Sequence, residues 1–553
     1  MKSLSIPQPV QNILQALNES GFEAYAVGGC VRDLLLDRTP KDWDITTNAL
    51  PEQIQVIFPD SFYENTFGTV GVKVERFSAK SRGDQGSETT DPFAGVTDTE
   101  ATSEKEIIEV TTYRTEADYS DSRHPDTIHF TTSLEEDLAR RDFTINAMAL
   151  KINTGDSATK EAYEIVDPFH GQEDLTHKII RAVGDPNTRF TEDALRLMRA
   201  IRFWAELAIP STLTQAEPLF DVVVTNAPPS PIIHNLSTPV SSASGTNNWL
   251  IEEKTLQALK ENAPRIAKVS WERIRDEFTK IIMSPNPAEG VHLLTTTRLI
   301  HHILPELEEG LGVGQNLHHV YTVYEHNFRA LKTCPSTKLS VRLAALLHDV
   351  GKPRTKRGNG HYSTFYNHDH VGARMTRPIL TRLRFPVAVI DHATLLVDNH
   401  LFYYNVDEVT AASVRRLIAR VGLENIPDLI HVRIGDRLGS GTPKAKPYRL
   451  RHFEYMVDKV SHDAVSVKML KVNGKDLMEK LSLTPGPKIG AILDVLLAET
   501  IEDATLNDTE RLLARARELD KENLEKLRGM AKEKIDEKRK SDTQAIKQKH
   551  WVQ

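Results

Sequence analysis

The stretch 23–47 combines strand-like and helix-like patterns around a Gly-Gly turn. Residues 23–27 predict a strand, Gly28 and Gly29 a tight turn, and residues 30–36 the start of an amphipathic helix. The first amides of such a helix lack intrahelical acceptors and can hold a phosphate. This order therefore predicts a strand, a turn and a helix whose free amides can cradle a phosphate.

Two aspartates at alternate positions follow that turn. Asp42 and Asp44 precede the strand-like residues 45–47, so we expect both on one strand with their carboxylates on one face. Paired carboxylates can share two Mg²⁺ ions about 3.5–4 Å apart, which activate an attacking hydroxyl and neutralise a leaving pyrophosphate. A glycine turn or a surface aspartate alone is ordinary, but together they predict metal-dependent nucleotidyl transfer.

Two later helical segments carry arginine and aspartate at suggestive spacings. Arg141 suits a triphosphate and Asp142 a ribose, because a guanidinium fork matches phosphate oxygens and a carboxylate accepts sugar hydroxyls. Thr191 predicts a helix cap that places Asp193 and Arg196 one turn apart. That pair can hydrogen-bond a base edge, so the protein itself would select the nucleotide. For each pair taken alone, an ion pair that braces a helix is the alternative.

Composition limits the class of protein. With 553 residues, of which 39% are hydrophobic, we expect three or four domains with real cores. A net charge of −8 gives no global nucleic-acid signature. Only Cys30 and Cys334 occur, which excludes a disulfide framework, and no stretch is long and apolar enough to span a bilayer. We therefore expect a cytoplasmic protein without a membrane partner; its oligomeric state is left open.

The patterning predicts a multidomain α+β protein, with a sheet-and-helix head followed by mostly helical regions. The expected domains are a head at 1–150, a neck at 151–305, a histidine-rich domain at 306–445 and a helical region with a charged tail at 446–553. Two stretches rich in small and polar residues, 78–106 and 210–248, predict flexible insertions.

Histidines and aspartates recur in the third region, a combination that suits a divalent transition metal. The candidate ligands are His326, His348, Asp349, His368, His400 and Asp436. A single histidine in a helix is more often structural, but the His348-Asp349 pair after an apolar run resembles the HD phosphohydrolase signature. By that resemblance, a bound metal would activate water to hydrolyse phosphomonoesters or 2′,3′-cyclic phosphates.

Ordered motifs across some 450 residues resemble the class II tRNA nucleotidyltransferases, or CCA-adding enzymes, and the related bacterial poly(A) polymerases. The motifs are residues 28–33, 42–44, 119–126, 140–149, 167–171, 192–203, 270–278 and 473–477. Some CCA-adding enzymes carry an HD domain in the same order. The resemblance implies a polymerase-β-like nucleotidyltransferase head, a neck that selects nucleotides and binds tRNA, and an HD domain.

The same resemblance implies residue roles. Asp42 and Asp44 would bind the catalytic Mg²⁺, and the segment 113–126 would help to switch from C to A. The implied nucleotide-binding residues are Gly28, Gly29, Arg32, Arg141, Asp142, Asp193, Arg196, Arg199 and Arg202. Asp193 and Arg196 would template CTP and then ATP, and the acceptor would be the 3′ end of tRNA.

Several functions remain open on the sequence alone. Poly(A) addition is a competitor, although residues 48–70 resemble the tRNA enzymes more closely. CC-only or A-only addition is possible too, and the intact segment 113–126 favours full CCA synthesis. The histidine-rich domain is either an active hydrolase or a helical scaffold that positions tRNA. Outside polymerases, the alternatives are an HD phosphohydrolase and an RNA-binding module.

Overall fold

The computed structural model describes residues 5–63, 68–75, 105–117, 127–152, 163–209, 249–316, 321–402, 405–406, 409–462 and 470–552. Two compact units comprise the chain. The first contains Met1–Gly314, Thr322–Lys332 and Arg377–Ile390, and the second contains Gln315–Tyr321, Thr333–Thr376 and Asp391–Gln553. The predicted insertion 210–248, nearly all of the insertion 78–106 and most of the segment 113–126 lie outside the described residues.

The strands lie in the first unit. They are β1 (Ala24–Val27), β2 (Asp44–Thr47), β3 (Ser61–Tyr63), β4 (Thr69–Glu75), β5 (Lys105–Thr112), β6 (Arg114–Ala117), β7 (Thr127–Phe130), β8 (Ala149–Ile152), β9 (Tyr163–Val166), β10 (Ile179–Ile180) and β11 (Leu250–Ile251).

The helices continue through both units. The first eleven are α1 (Gln8–Glu19), α2 (Gly29–Leu35), α3 (Pro51–Ile57), α4 (Leu134–Ala139), α5 (Gly171–His177), α6 (Pro186–Glu192), α7 (Arg196–Leu207), α8 (Glu253–Asn262), α9 (Trp271–Met283), α10 (Pro287–Thr296) and α11 (Leu299–Ile303). The remaining helices are α12 (Val323–Thr333), α13 (Leu339–Leu347), α14 (Lys352–Thr355), α15 (His368–Arg382), α16 (Val387–Asn399), α17 (Ala411–Val421), α18 (Ile426–Gly439), α19 (Tyr448–His462), α20 (Gly474–Leu481), α21 (Pro487–Glu502), α22 (Thr509–Leu519) and α23 (Leu524–Lys549).

A seven-stranded mixed sheet organises the head, in the order β3-β4-β5-β2-β1-β8-β9. Neighbouring strands pair antiparallel except β2 and β5, which are parallel. The central strands β1 and β2 are almost wholly buried, while β5 alternates exposed and buried residues with period two. The predicted combination of a head sheet with mostly helical regions is confirmed.

The two strands on either side of the first insertion pair with each other. β4 and β5 pair from Thr69 opposite Thr111 to Glu75 opposite Lys105. Because this register runs to Lys105, the last two residues of the predicted insertion 78–106 belong to β5.

Each unit has its own apolar packing. In the head, Tyr25, Val27, Tyr113, Leu138 and Ala149 form a buried cluster between the sheet and α4. In the second unit, α20 to α23 pack through a buried leucine-rich cluster between residues 470 and 527. Among the described residues, no helix is both long and apolar enough to cross a membrane.

Replacing Gly28 by alanine is expected to lower thermal stability more than replacing Gly21. Gly28 has φ +82° and ψ −130°, a conformation almost restricted to glycine, and an added Cβ would lie 3.1 Å from Nη1 of Arg141. Gly21 also has a positive φ (+85°), but an added Cβ there meets no described atom within 4 Å.

Thermal unfolding of the two variants provides the measurement. Gly21→Ala should cost about 1 kcal/mol and Gly28→Ala clearly more, at roughly 2 kcal/mol. Equal losses would contradict the strained conformation assigned to Gly28.

Candidate functional site

The turn between β1 and α2 forms the floor of the first candidate site. Gly28 donates its amide to the carbonyl of Met148 over 3.3 Å, and its own carbonyl accepts the amide of Arg32. α2 begins directly at Gly29. The predicted strand, turn and helix therefore occur in the predicted order, with the first amides of α2 beside the turn.

Asp44 and Asp42 lie close to this turn, but not on one strand. Asp44 is the first residue of β2 and pairs opposite Val27, while the exposed Asp42 precedes the strand. The expectation that both project from one strand was wrong, because the sheet register with β1 ends at Asp44.

The electrostatics around Asp44 favour a cation. Burial raises the pKa of the Asp44 carboxyl, nearby Arg141 lowers it and the charge of Asp42 raises it. The two carboxylates are thus close enough to repel each other. A divalent ion beside oxygen ligands of this kind would relieve the repulsion, so the residues fit the predicted Mg²⁺.

Arg141 is held above the turn by a carboxylate that the sequence did not single out. Asp137 on α4 is fully buried, pairs with Arg140 over 2.8 Å and lies 3.4 Å from Nη2 of Arg141. The Nε of Arg141 is buried and has no hydrogen-bond partner among the described residues. This leaves Arg141 with donor capacity that an anionic ligand can satisfy. The signal for Asp137 was its spacing three and four residues before two arginines.

Asp142 forms a buried ion pair with Arg199 on α7. The Asp142 Oδ2 lies 2.6 Å from Nη2 and 2.7 Å from Nε of Arg199, and the amide of Phe143 donates to Oδ1. Burial alone would raise the pKa of this carboxyl, but Arg199 and Arg196 outweigh it and lower the pKa to about 2. Asp142 is therefore a permanent anion at neutral pH.

Glu277 on α9 extends this ion pair into a network. It is 3% exposed, with Oε2 2.7 Å from Nε of Arg202 and Oε1 3.8 Å from Nη1 of Arg199. The sequence did not identify Glu277 as a site residue, nor Asn146, which contacts Arg32. Glu277 lies within the motif 270–278, so its position could have been flagged, but its partners could not.

Arg32 reaches the same network from the turn. Its Nη1 donates to Asn146 Oδ1 over 2.8 Å, and Nδ2 of Asn146 contacts Asp142 over 3.4 Å. The guanidinium carbons of Arg32, Arg199 and Arg202 all lie over the ring of Phe203, at 5.2, 5.2 and 3.9 Å from its centroid. Three cations thus share one aromatic ring, which gathers positive charge around the predicted nucleotide site.

Asp193 and Arg196 do not pair with each other through their side chains. Asp193 accepts two hydrogen bonds from Arg273 on α9, at 2.8 and 3.2 Å. Arg196 instead pairs with Glu192 over 2.7 Å and donates to the carbonyl of Arg140.

The predicted helix start at Thr191 was wrong. Residues 186–192 form α6, which begins after an Asp185 cap, and α7 begins only at Arg196. Asp193 occupies the extended residue that ends α6, and its Oδ1 accepts the amide of Leu195. The helix ends before Asp193 because the side chain of this residue accepts the amide two residues later, and that contact competes with continuation of the helix.

The second candidate site lies in the second unit. Asp349 and His348 follow α13, and Asp349 lies 3.1 Å from His368, 3.7 Å from His400 and 3.3 Å from His348, each measured to Nε2. Asp436 on α18 lies 3.8 Å from the same nitrogen of His348. His326, buried on α12, belongs to the first unit. The structure thus brings five of the six predicted ligands together within one unit.

Each histidine of this cluster is oriented by a backbone carbonyl. The Nδ1 atoms of His348, His368 and His400 lie 2.9, 2.7 and 2.7 Å from the carbonyls of Ala345, Phe365 and Val397. A donor at Nδ1 leaves the Nε2 lone pair of a neutral imidazole directed at Asp349. Lone pairs and a carboxylate converge favourably only around a cation, so Asp349, His368 and His400 fit a metal.

Lys352 was missed as a member of this cluster. Its Nζ lies 2.6 Å from Asp349 Oδ2 and 2.6 Å from Oε1 of Gln315. Its position three residues after Asp349, in the sequence His-Asp-Val-Gly-Lys, was the available signal. The buried ammonium adds a fixed positive charge beside the predicted metal ligands.

Asp142→Asn is expected to destabilise the first unit less at pH 3 than at pH 6. A carboxyl whose folded pKa is about 2, against about 3.9 when unfolded, stabilises the fold above pH 4. This contribution is lost as the pH falls through 2. The difference in unfolding free energy between wild type and variant should therefore shrink by about 1 kcal/mol between pH 6 and pH 3.

Urea unfolding followed by tryptophan fluorescence measures this difference, because Trp43, Trp204, Trp249 and Trp271 lie in the first unit. Asp60→Asn is the matched control. The pKa of Asp60 is also lowered, by Lys105, but the carboxylate is solvent-exposed and should contribute little. A pH-independent effect of Asp142→Asn would contradict the assignment.

Four family models match the chain. The poly A polymerase head domain matches residues 24–181, the probable RNA and SrmB-binding site of polymerase A residues 250–311, the HD domain residues 291–438, and the putative tRNA nucleotidyltransferase domain 2 residues 454–516.

Known proteins resemble the chain over most of its length. An A-adding tRNA nucleotidyltransferase of Deinococcus radiodurans is 33% identical over 380 residues, covering 66% of this chain and 74% of that protein. A CCA-adding enzyme of Geobacillus thermodenitrificans is 30% identical over 508 residues, covering 92% and 96%. The crystal structure of the Bacillus stearothermophilus CCA-adding enzyme in complex with CTP matches 93% of this chain and 98% of that chain, with a TM-score of 0.53 and 26% identity. The chain is therefore a nucleotidyltransferase and belongs to the tRNA nucleotidyltransferase and poly(A) polymerase family.

Proposed function

We propose that the protein adds C, C and A to the 3′ end of tRNA, using CTP and ATP. The observation that carries this proposal is the head site, where Asp44 and Asp42 lie within electrostatic reach of each other near the Gly28-Gly29 turn and the buried Nε of Arg141 has no hydrogen-bond partner among the described residues. Full-length similarity to CCA-adding enzymes supports the choice of substrate.

The proposed reaction joins the tRNA 3′-oxygen to the α-phosphorus of the incoming nucleotide. The bond from that phosphorus to the β-phosphate oxygen breaks, and pyrophosphate leaves while the hydroxyl proton is released. Mg²⁺ held by Asp42 and Asp44 would neutralise charge on the phosphates. The residues proposed to orient the triphosphate are Gly28, Gly29, Arg32 and Arg141. Asp142, kept ionised by Arg199, is proposed to accept a hydrogen bond from a ribose hydroxyl.

Base selection is proposed to lie with Asp193 and Arg196, backed by the positive charge of Arg199 and Arg202. In the structure, Asp193 forms an ion pair with Arg273, and Arg196 forms one with Glu192. Each partner fixes the side chain that it contacts and leaves its remaining hydrogen-bonding positions for a base edge.

Restricted addition is the main competitor. An A-adding relative is 33% identical, so A-only addition is a specific alternative. We favour full CCA addition because the CCA-adding relatives of Enterococcus faecalis and Geobacillus thermodenitrificans match at least 92% of this chain.

Primer extension tests the proposal directly. Transcripts of tRNA that end at the discriminator base, at C and at CC are offered CTP, ATP or both, and the product lengths are read. We expect CTP to extend the first two primers to CC, and ATP to add one A to the third. Addition of A without limit indicates poly(A) synthesis, and extension of only the CC-ended primer indicates A-only addition. Either result overturns the CCA proposal.

Arg273→Gln is expected to reduce discrimination between CTP and ATP at least about tenfold, while binding of the triphosphate changes little. The substitution removes the two charge-assisted hydrogen bonds that orient Asp193, which are worth about 1.5–3 kcal/mol each. Single-nucleotide incorporation with each triphosphate gives the ratio of kcat/KM values.

Arg275→Gln, two residues further along α9, is the control, because Arg275 contacts Asp276 and the carbonyl of Arg384 instead. If the two variants show the same ratio of kcat/KM values for CTP and ATP, Arg273 has no part in base selection.

A second activity is proposed for the cluster around Asp349, which would hydrolyse phosphomonoesters or 2′,3′-cyclic phosphates. The convergence of imidazole Nε2 atoms on Asp349 carries this proposal. A divalent transition metal held there would lower the pKa of a water molecule. His326 and Asp436 are proposed as further ligands, and a scaffold that only positions tRNA is the competing function.

The two activities should separate by mutation. Asp42→Ala is expected to abolish nucleotide incorporation and leave metal-dependent phosphatase activity intact, because Asp42 lies in the first unit and the cluster in the second. His348→Ala should do the reverse. Assays of tRNA extension and of a chromogenic phosphodiester on both variants provide the measurement. Normal CMP incorporation by Asp42→Ala would refute the proposed metal site.

A further inference from the structure

A stretch of fifteen residues, 353–367, links two members of the cluster in the second unit. Lys352, which contacts Asp349 over 2.6 Å, precedes it, and His368, 3.1 Å from the same carboxylate, follows it. Within it, Arg357 and Thr364 exchange two backbone hydrogen bonds of 2.9 Å, which fold the stretch back on itself. We call residues 353–367 the basic-aromatic arm.

The arm exposes two aromatic rings. Tyr362 is 87% exposed and Tyr366 75% exposed, whereas the intervening Ser363 and Phe365 are buried. Buried Phe365 anchors the arm, since its carbonyl contacts Nδ1 of His368 and its ring lies 5.7 Å from Nζ of Lys352. The packing thus leaves two large aromatic rings in contact with solvent, although burial of each ring would stabilise the fold.

The arm is also uniformly basic. Between Val350 and His368 the sequence contains Lys352, Arg354, Lys356 and Arg357 but no aspartate or glutamate. Arg354 and Arg357 are exposed. In a chain of net charge −8, this is a local concentration of positive charge beside two aromatic rings.

We propose that the basic-aromatic arm binds single-stranded RNA by stacking bases on Tyr362 and Tyr366, and directs the phosphorylated 3′ end towards the cluster around Asp349. Stacked aromatic rings with neighbouring cations are the combination that holds single strands without reading their sequence. Lys352 and His368, which both contact Asp349, directly flank the arm in the chain. An RNA strand bound along the arm would therefore lie near the cluster around Asp349. This inference extends the hydrolase activity proposed above to RNA ends.

The RNA end suited to this site carries a 2′,3′-cyclic phosphate. In its hydrolysis, a water oxygen bonds to the phosphorus and one of the two ring P–O bonds breaks. The sugar oxygen that leaves takes the proton that the water gives up, so a phosphomonoester results. The charges of Lys352 and the arm would stabilise the additional negative charge of the product.

The experiment compares three full-length proteins: wild type, the pair Tyr362→Ala/Tyr366→Ala, and the pair Tyr362→Phe/Tyr366→Phe, which retains both rings. A ten-nucleotide single-stranded RNA with 4-thiouridine near its 3′ end is crosslinked in EDTA, and the attached peptides are identified. We expect crosslinks within 353–367 for wild type and the Phe pair, and at least a fivefold loss for the Ala pair. Extension of tRNA by CTP and ATP should be unchanged in all three, which shows that the first unit is folded; retained crosslinking of the Phe pair and a constant kcat for a small phosphodiester report on the second unit.

Hydrolysis gives a second readout. For an oligonucleotide with a 2′,3′-cyclic phosphate, KM should rise at least fivefold in the Ala pair but not in the Phe pair. The kcat for bis(p-nitrophenyl) phosphate, which is too small to span the arm, should stay constant. If wild type hydrolyses neither substrate while its crosslinks persist, the hydrolase proposal fails and RNA binding by the arm stands.

Two results would overturn the inference. One is crosslinking outside 353–367 with equal efficiency in the Ala pair. The other is tyrosine-dependent sedimentation with vesicles of phosphatidylglycerol and phosphatidylcholine without tyrosine-dependent RNA crosslinks, which would assign the arm to an anionic membrane surface.

Discussion

The buried ion pair between Asp142 and Arg199 determines the geometry of the first candidate site. Asp142 lies three residues after the end of α4, and Arg199 lies on a separate helix more than fifty residues later. Removal of either partner would leave the other charge only partly compensated, by Glu277 for Arg199 and by the amide of Phe143 for Asp142, and would therefore destabilise the fold. Asn146 and Glu277 continue the contacts on either side, so Arg32 and Arg202 depend on the same pair. The positive groups around Phe203 are therefore held by charge, with little freedom to rearrange.

The second unit orients its polar groups by a different means. Its histidines are fixed by neutral carbonyls three residues earlier, and burial lowers the pKa of His400, which favours the uncharged imidazole. The first site neutralises its charges internally, while the second directs lone pairs and a carboxylate to one point. One chain thus holds a charge-balanced cluster of arginines in one unit and a convergent set of imidazole and carboxylate groups in the other.

Local features of the site could be predicted from the sequence, whereas its long-range partners could not. The strand, turn and helix around Gly28 follow from glycine placement and periodicity, and His348-Asp349 was recognisable from its motif. Asp42 was predicted on the strand β2 but precedes it, because the pairing with β1 sets where the strand begins and that pairing ends at Asp44. Helix capping by Asp185, rather than Thr191, was overlooked although both residues are suitable caps. The pairing of Asp193 with Arg273 spans eighty residues, and no local pattern selects one arginine among several at that distance.

The register between β4 and β5 also has a consequence in polymer terms. Glu75 and Lys105 are the last partners of this ladder, so the two ends of the connection between β4 and β5 are held by neighbouring strands. For a flexible connection between fixed ends, the entropy of closure grows only with the logarithm of its length, and a doubling costs about 0.6 kcal/mol. The seven residue pairs from Thr69 to Glu75 can offset that cost. The sheet that carries Asp44 is therefore compatible with large changes in the length of this connection, and evolution could lengthen or shorten it with little effect on the position of Asp44 at the start of β2.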